Sequence, residues 1–265
     1  MHHLHEIFDL LRSLGLREGD DLLVHSSYRS LGPVENGPEG MLDVLLQVVG
    51  SRGHLMMPAF NYSFPLPVPY FDQKTTPSRT GILCELARHR GVRSLHPTHS
   101  VAAIGPDAED LTAGHLEVRA FGLGSPIDRL ARRGGKILLL GVGQTSNSTI
   151  HVGEEYAALP KVPKGGSGVQ LYASVRHLDG RIVEHPLDSS PSCSAAFGVL
   201  EATLREEGVI QDAVLGDCLI QCMSGSAVIS CTERLISTNP RALLCARPGC
   251  ASCRGVESNL LASGR

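Results

Sequence analysis

A chain of 265 residues with 42% hydrophobic content can bury a large core, and no apolar run in it is long enough to span a bilayer. Lysine and arginine number 24 against 27 aspartates and glutamates, a net charge of −3 that argues against nucleic acid as the main partner. The opening Met1-His-His-Leu-His-Glu6 has neither the basic start nor the apolar centre of a signal peptide, so the cytoplasm is the expected location, and the eight cysteines are expected as reduced thiols or metal ligands before disulfides.

Ile7, Leu10, Leu11 and Leu14 share one face of a helix over 5–14. A short strand, Leu22-Leu-Val-His25, runs into Ser26-Ser-Tyr-Arg-Ser-Leu-Gly32, where small hydroxyls and a glycine leave backbone N–H groups open to phosphate or carbonyl oxygens. Met41, Val44, Leu45 and Val48 give a helix over 39–49, and His54-Leu-Met-Met-Pro-Ala59 is the next strand, so a right-handed crossover to a parallel partner is expected. Pro65, Pro67, Pro69 and Pro77 make 61–77 an irregular loop, and a helix follows over 80–90. His96, His99 and Ser100 stand at the start of a strand that continues through Val101 to Ile104. Short helices are expected over 107–112 and 125–132, the second with Ser125 as N-cap and Pro126 at the first helical position.

The run Lys136-Ile-Leu-Leu-Leu140, closed by Gly141 and Gly143, suits a buried strand that ends at a tight turn. The helix beyond it, capped by Ser146 or Asn147, carries His151 and Glu154 three residues apart on one face. After a break over 160–168, the alternation in 169–177 and 181–185 gives an antiparallel hairpin turning at Asp179-Gly180. A helix over 193–207, a strand over 218–222 and a helix over 226–237 complete the series. The order describes an α/β protein: a mixed sheet with a parallel core flanked by helices, plus a C-terminal antiparallel extension. It occupies 1–240, with 241–265 as a cysteine-rich tail, and leaves the oligomeric state open.

An imidazole held by a carboxylate just past the carboxyl end of a central strand makes a general base, because the carboxylate fixes the tautomer and stabilises the charged ring. His151 is that candidate, with Glu154 or its neighbour Glu155 as partner. Gly141-x-Gly143 imitates a dinucleotide turn, but Ser146 takes the third glycine position and no acidic residue follows at the distance a ribose needs. The Gly-x-Ser-x-Gly elbow of a serine hydrolase does not occur, and Cys193, without a basic neighbour, reads as a core thiol. Cys245, Cys250 and Cys253, spaced C-x4-C-x2-C, can hold a structural zinc if Cys231 or a histidine joins them; otherwise they are free thiols in a mobile tail.

The blocks Val24-His-Ser-Ser-Tyr-Arg-Ser-Leu-Gly32, Met57-Pro-Ala-Phe60, Phe71-Asp72, Arg93-Ser-Leu-His-Pro-Thr-His-Ser-Val-Ala-Ala103, Gly124-Ser-Pro126 and Leu138-Leu-Leu-Gly-Val-Gly143 through His151-Val-Gly-Glu154 follow one another as in the aminoglycoside 3-N-acetyltransferases. The chain resembles that family over most of 22–160. The resemblance implies the antibiotic N-acetyltransferase fold, acetyl-CoA as cosubstrate and a small-molecule amine as acceptor, an aminoglycoside 3-amino group in the family. It assigns Ser26, Ser27, Leu31, Gly32 and Val34 to coenzyme A and brings Asp72 and His99 toward the amine side. Ser78 and Arg79 are candidates for the cofactor's phosphates, and Asp188 is a third candidate contact for the amine, the second acidic one. Backbone N–H groups around Ser26 and Ser27, or the Ser100 hydroxyl, are candidates for the oxyanion. The proline-rich loop before Phe71 is short of carboxylates, which suits a smaller amine. The rival expectation is a non-catalytic relative that binds acetyl-CoA as a sensor or interaction protein.

Overall fold

The computed structural model describes residues 1–62, 66, 68–162, 170–187 and 192–264. In chain order its elements are α1 (Leu4–Ser13), β1 (Asp21–Ser26), α2 (Gly37–Val49), β2 (His54–Pro58), β3 (Tyr70–Asp72), α3 (Ile82–Arg90), β4 (Val92–Arg93), β5 (Val101–Ile104), α4 (Ala108–Thr112), α5 (Pro126–Arg132), β6 (Lys136–Leu140) and α6 (Thr149–Tyr156). They continue with β7 (Tyr172–Arg176), β8 (Ile182–Pro186), α7 (Leu200–Glu206), β9 (Gln211–Leu215), β10 (Cys218–Ser224), α8 (Gly225–Thr238) and α9 (Ala251–Ala262).

The apolar strands behave as their composition requires. β1 lies between β2 and β6 and is parallel to both, in registers that include Leu23 opposite Met56 and Val24 opposite Leu138. Because side chains alternate along a strand, each of the three feeds two apolar layers. Leu23, Met56, Ile137 and Leu139 enter the layer under α5 to α9, with Ile127, Ile150 and Val228. Leu22, Val24, Leu55, Met57, Leu138 and Leu140 enter the other, with Ile7, Met41 and Leu83 from α1, α2 and α3. Burial on both faces is what keeps a parallel centre stable.

The described strands of the main sheet run in the order β4-β5-β2-β1-β6-β10-β9. The expected antiparallel extension is β10 against β6 and β9 against β10. Two placements differ from the sequence expectation. Antiparallel pairing also occupies the opposite edge, where β5 runs against β2 and β4 against β5. The β7–β8 hairpin forms, but it leaves the main sheet and joins β3 in a separate three-stranded sheet around Phe71, Ala173 and Val175.

The segment after residue 240 is packed rather than trailing. Leu243, Val256 and Leu260 are fully buried in the layer that holds Ile150 and Val152 of α6. Cys253, Val256 and Leu260 stand at i, i+3 and i+7 on α9, which is the spacing of one helix face. A Cβ at Gly255 would meet Val162 at 2.4 Å, so α9 lies directly on the stretch that follows α6. Among the described residues no helix is long and apolar enough to cross a membrane.

Candidate active site

The carboxyl ends of β1, β2 and β6 converge, at Ser26, Pro58 and Val142, on a cleft of about 340 Å³. Open α/β sheets place ligands at this edge because strand ends and helix starts leave polar backbone there. Gly141 makes the turn possible: its φ is +62°, and a Cβ would fall 1.7 Å from the Ser30 hydroxyl oxygen. The chain then passes through a short 3-10 helix, Gln144–Ser146, into α6. The N-cap of α6 is Ser148, which makes no side-chain cap bond, rather than Ser146 or Asn147; Asn147 steadies the entry, its Oδ1 accepting from the Thr149 N–H at 3.1 Å while its amide donates to Gln144.

His151 reaches the cleft from the first turn of α6, and its Nδ1 lies 2.6 Å from Oε2 of Glu154. Glu154 is the partner; Glu155 instead pairs with Lys161 at 2.6 Å. The Glu154 side chain is wholly buried, and its other oxygen accepts from the Ser192 hydroxyl. A buried carboxylate with both oxygens engaged cannot rotate freely, so it fixes the orientation of the imidazole. With Nδ1 turned to Glu154, Nε2 is the nitrogen that carries the lone pair. Phe121 stacks on the imidazole at 4.8 Å and 19°, and Phe197 meets it edge-on at 4.7 Å. The ring is thus clamped on three sides.

A second histidine faces the same space. His25, the penultimate residue of β1, is 5% exposed, and its Nε2 accepts from the Ser148 N–H at 3.4 Å. Burial lowers its pKa to about 3, so it stays a neutral acceptor. The Cys84 thiol, also on the cleft, is pushed up to about 11 by burial, which disfavours a nucleophilic thiolate. Not every histidine–carboxylate pair marks this site. His54 sits between Asp21 at 2.6 Å and Asp107 at 2.7 Å, both also bound by Arg133, but it lies at the amino ends of β1 and β2 and forms no part of the cleft wall.

Of the residues singled out in the sequence, His151, Ser26 and His99 line the cleft, with Glu154 directly behind His151. His99 packs edge-on to Phe60 at 4.9 Å, and its Nδ1 is 2.8 Å from the Thr98 hydroxyl. Others stand apart. The Ser27 N–H is committed to the Leu140 carbonyl, so it is not an oxyanion donor. Ser100 is fully buried, donates to the Ala59 carbonyl and accepts from Arg93, which leaves its hydroxyl no part in the cleft. The Leu31 and Val34 side chains belong to the apolar layer under α1 and α2 and do not line the cleft; Gly32 between them turns the chain with φ +70°. Ser78 bonds Thr80, a cleft residue, and Arg79 is exposed on an adjoining groove with Tyr62 and Tyr70. Asp72 is on β3 in the small sheet. Burial works against its ionisation, but the N–H groups of Thr75 and Lys74 outweigh that and hold its pKa down. Asp188 lies outside the described residues. The described cleft wall contains no carboxylate.

Sequence reasoning missed His25, Ser192, Phe121 and Phe197. His25 belongs to one of the family-like blocks but reads there only as the end of a strand. Nothing local to Ser192 announces a bond to a residue on α6.

The family model described as aminoglycoside 3-N-acetyltransferase matches residues 23–237. The chain is similar to aminoglycoside N(3)-acetyltransferase IV from Salmonella sp, with 28% identity over 89% of this chain and 87% of that one. It is also similar to aminoglycoside N(3)-acetyltransferase III from Acinetobacter baumannii, with 37% identity over 60% of this chain and 63% of that one. Among solved structures it superposes on aminoglycoside acetyltransferase AAC(3)-IVa in complex with a gentamicin, with a TM-score of 0.83, 27% identity, and 97% and 96% of the two chains covered.

Proposed function

The chain belongs to the aminoglycoside 3-N-acetyltransferase family and is an acyltransferase, and from that premise we propose that it moves the acetyl group of acetyl-CoA to the 3-amino group of an aminoglycoside, with His151 as general base and Glu154 as the carboxylate that holds it. An ammonium has no lone pair, and most primary amines are protonated near neutral pH. Nε2 of His151 takes the proton as the amine nitrogen attacks the thioester carbonyl, so the C–N bond forms while Nδ1–H stays on Glu154. The resulting oxyanion is taken up by the hydroxyl-bearing wall at Ser26 and Ser148. Collapse breaks the C–S bond, the imidazolium returns its proton to sulfur, and coenzyme A leaves with the amide on the acceptor. No covalent enzyme intermediate is involved.

The observation that carries this proposal is the 2.6 Å His151–Glu154 contact at the carboxyl edge of the parallel strands, beside an open cleft. Two related structures support the ligands: AAC(3)-IVa with a gentamicin, and AAC-IIIb with coenzyme A, the latter alike in fold at 22% identity. The test is coenzyme A release across gentamicin, apramycin and simple amines, for wild type and His151→Ala. The expected result is turnover with aminoglycosides and a loss on the order of 10²- to 10⁴-fold in kcat for the variant, with calorimetric coenzyme A binding unchanged. Binding without turnover for any amine would instead support the acetyl-CoA sensor. Equal turnover in wild type and variant would remove His151 from the mechanism.

A further inference from the structure

The structure brings together four thiols that the acetyl transfer does not use. The Sγ atoms of Cys193, Cys245, Cys250 and Cys253 all lie within 4.8 Å of one another. The fourth thiol is neither Cys231 nor a histidine: it is Cys193, which caps the short 3-10 helix Ser194–Val199 on the cleft wall. Cys250 caps α9 and Cys253 stands in its first turn, so one helix start presents two of the four.

We propose that these cysteines form a tetrathiolate zinc site that fastens the C-terminal helix to the cleft wall. A zinc–sulfur bond of ~2.3 Å sets the edge of a tetrahedral cage at about 3.8 Å between sulfurs. The Cys253 and Cys193 sulfurs are 3.7 Å apart. That distance matches a shared ion and is far outside the ~2.05 Å of a disulfide. Zinc-bound thiolates are held by backbone N–H groups from an outer shell. One such donor is in place: the Cys245 N–H lies 3.4 Å from the Cys253 sulfur. Four clustered thiols cannot all ionise without a cation, since each thiolate opposes the next. A divalent ion offsets that repulsion, and its binding releases the thiol protons.

The position gives the site a structural consequence. Ser192, next to Cys193, bonds the carboxylate of Glu154, and Phe197, in the same 3-10 helix, packs on His151. Zinc therefore holds the wall that holds the histidine. The inference stands on the thiol geometry alone and does not require that the chain transfer acetyl groups.

The test is native mass spectrometry and metal analysis of the full purified chain, with cobalt substitution read as thiolate-to-metal charge-transfer absorption. The expected result is one zinc per chain and a tetrahedral cobalt–thiolate spectrum. Cys193→Ser should weaken zinc affinity, measured against a chromophoric chelator, by more than the ~10- to 100-fold that loss of an outer-shell partner produces. Cys231→Ser should keep the metal. A metal-free chain with four reduced thiols, a mass four hydrogens light from two disulfides, iron in place of zinc, or a Cys193→Ser variant that binds zinc as tightly as wild type would each overturn the proposal. The cobalt spectrum of the wild type decides the matter even if a variant fails to fold.

Discussion

His25 should draw a steep acid limb on the stability curve, and replacing it with glutamine should flatten that limb. The unfolded chain's imidazole titrates near 6.5, whereas burial lowers the folded value to about 3. Between those values the unfolded state binds a proton that the folded state refuses. Stability is therefore fully present above the unfolded value and is lost as pH falls toward the folded one, at about 1.4 kcal/mol per pH unit. From pH 8 to pH 5 the loss from this one ring comes to about 2 kcal/mol, a sizeable part of the ~5–15 kcal/mol that holds a typical domain. The structural reason is local. The ring is 5% exposed, and its Nε2 accepts from Ser148 at the start of α6, so a proton there would set two donors against each other. Urea unfolding followed by circular dichroism at both pH values, on wild type and His25→Gln, measures the effect. Any other group that titrates in the window contributes to both proteins and cancels in the difference. The variant should lose about 2 kcal/mol less than wild type between the two pH values. An identical pH dependence would refute the burial argument, whatever the variant's absolute stability.

Glu154→Gln keeps an acceptor near Nδ1 but removes the charge, so kcat should fall on the order of 10²-fold with KM little altered, measured by coenzyme A release. Wild-type kcat in that variant would take Glu154 out of the mechanism. Ser192→Ala strips a donor from a wholly buried carboxylate and should destabilise the fold by about 1–3 kcal/mol in urea titration. Gly153→Ala puts a methyl group 2.4 Å from the Thr232 Cβ, where α6 crosses α8; overpacking of this kind costs about 1–3 kcal/mol, and an unchanged melting temperature would mean the helices are not in contact there. Leu260→Ala should lose about 2–5 kcal/mol because α9 is part of the core, whereas a free tail would tolerate it without effect.

The parallel centre was legible because strands buried on both faces must be apolar along most of their length, as 22–24, 55–58 and 137–140 are. The His151–Glu154 pair was legible for an equally local reason: three residues on a helix is a fixed geometry. Choosing Glu154 over Glu155 was not, since both lie within reach along the chain. That choice depends on Lys161 taking one carboxylate and Ser192 the other. The side chains of Leu31, Val34 and Ser100 do not line the cleft, because position in a loop beside a strand says nothing of which way a side chain turns. Two of them turned into the apolar layer, and Ser100 turned to Arg93.

By itself, then, the sequence determined the central strands and the helical pairing of imidazole with carboxylate, which are encoded in periodicities and spacings of a few residues, while its ordered motif blocks carried the resemblance to the family. Tertiary structure alone decided that β7 and β8 leave the main sheet, that His25 is buried enough to stay neutral, and that Cys193 joins Cys245, Cys250 and Cys253. Those outcomes depend on which surfaces meet after the chain folds back on itself, and contacts between distant segments leave no pattern in either segment.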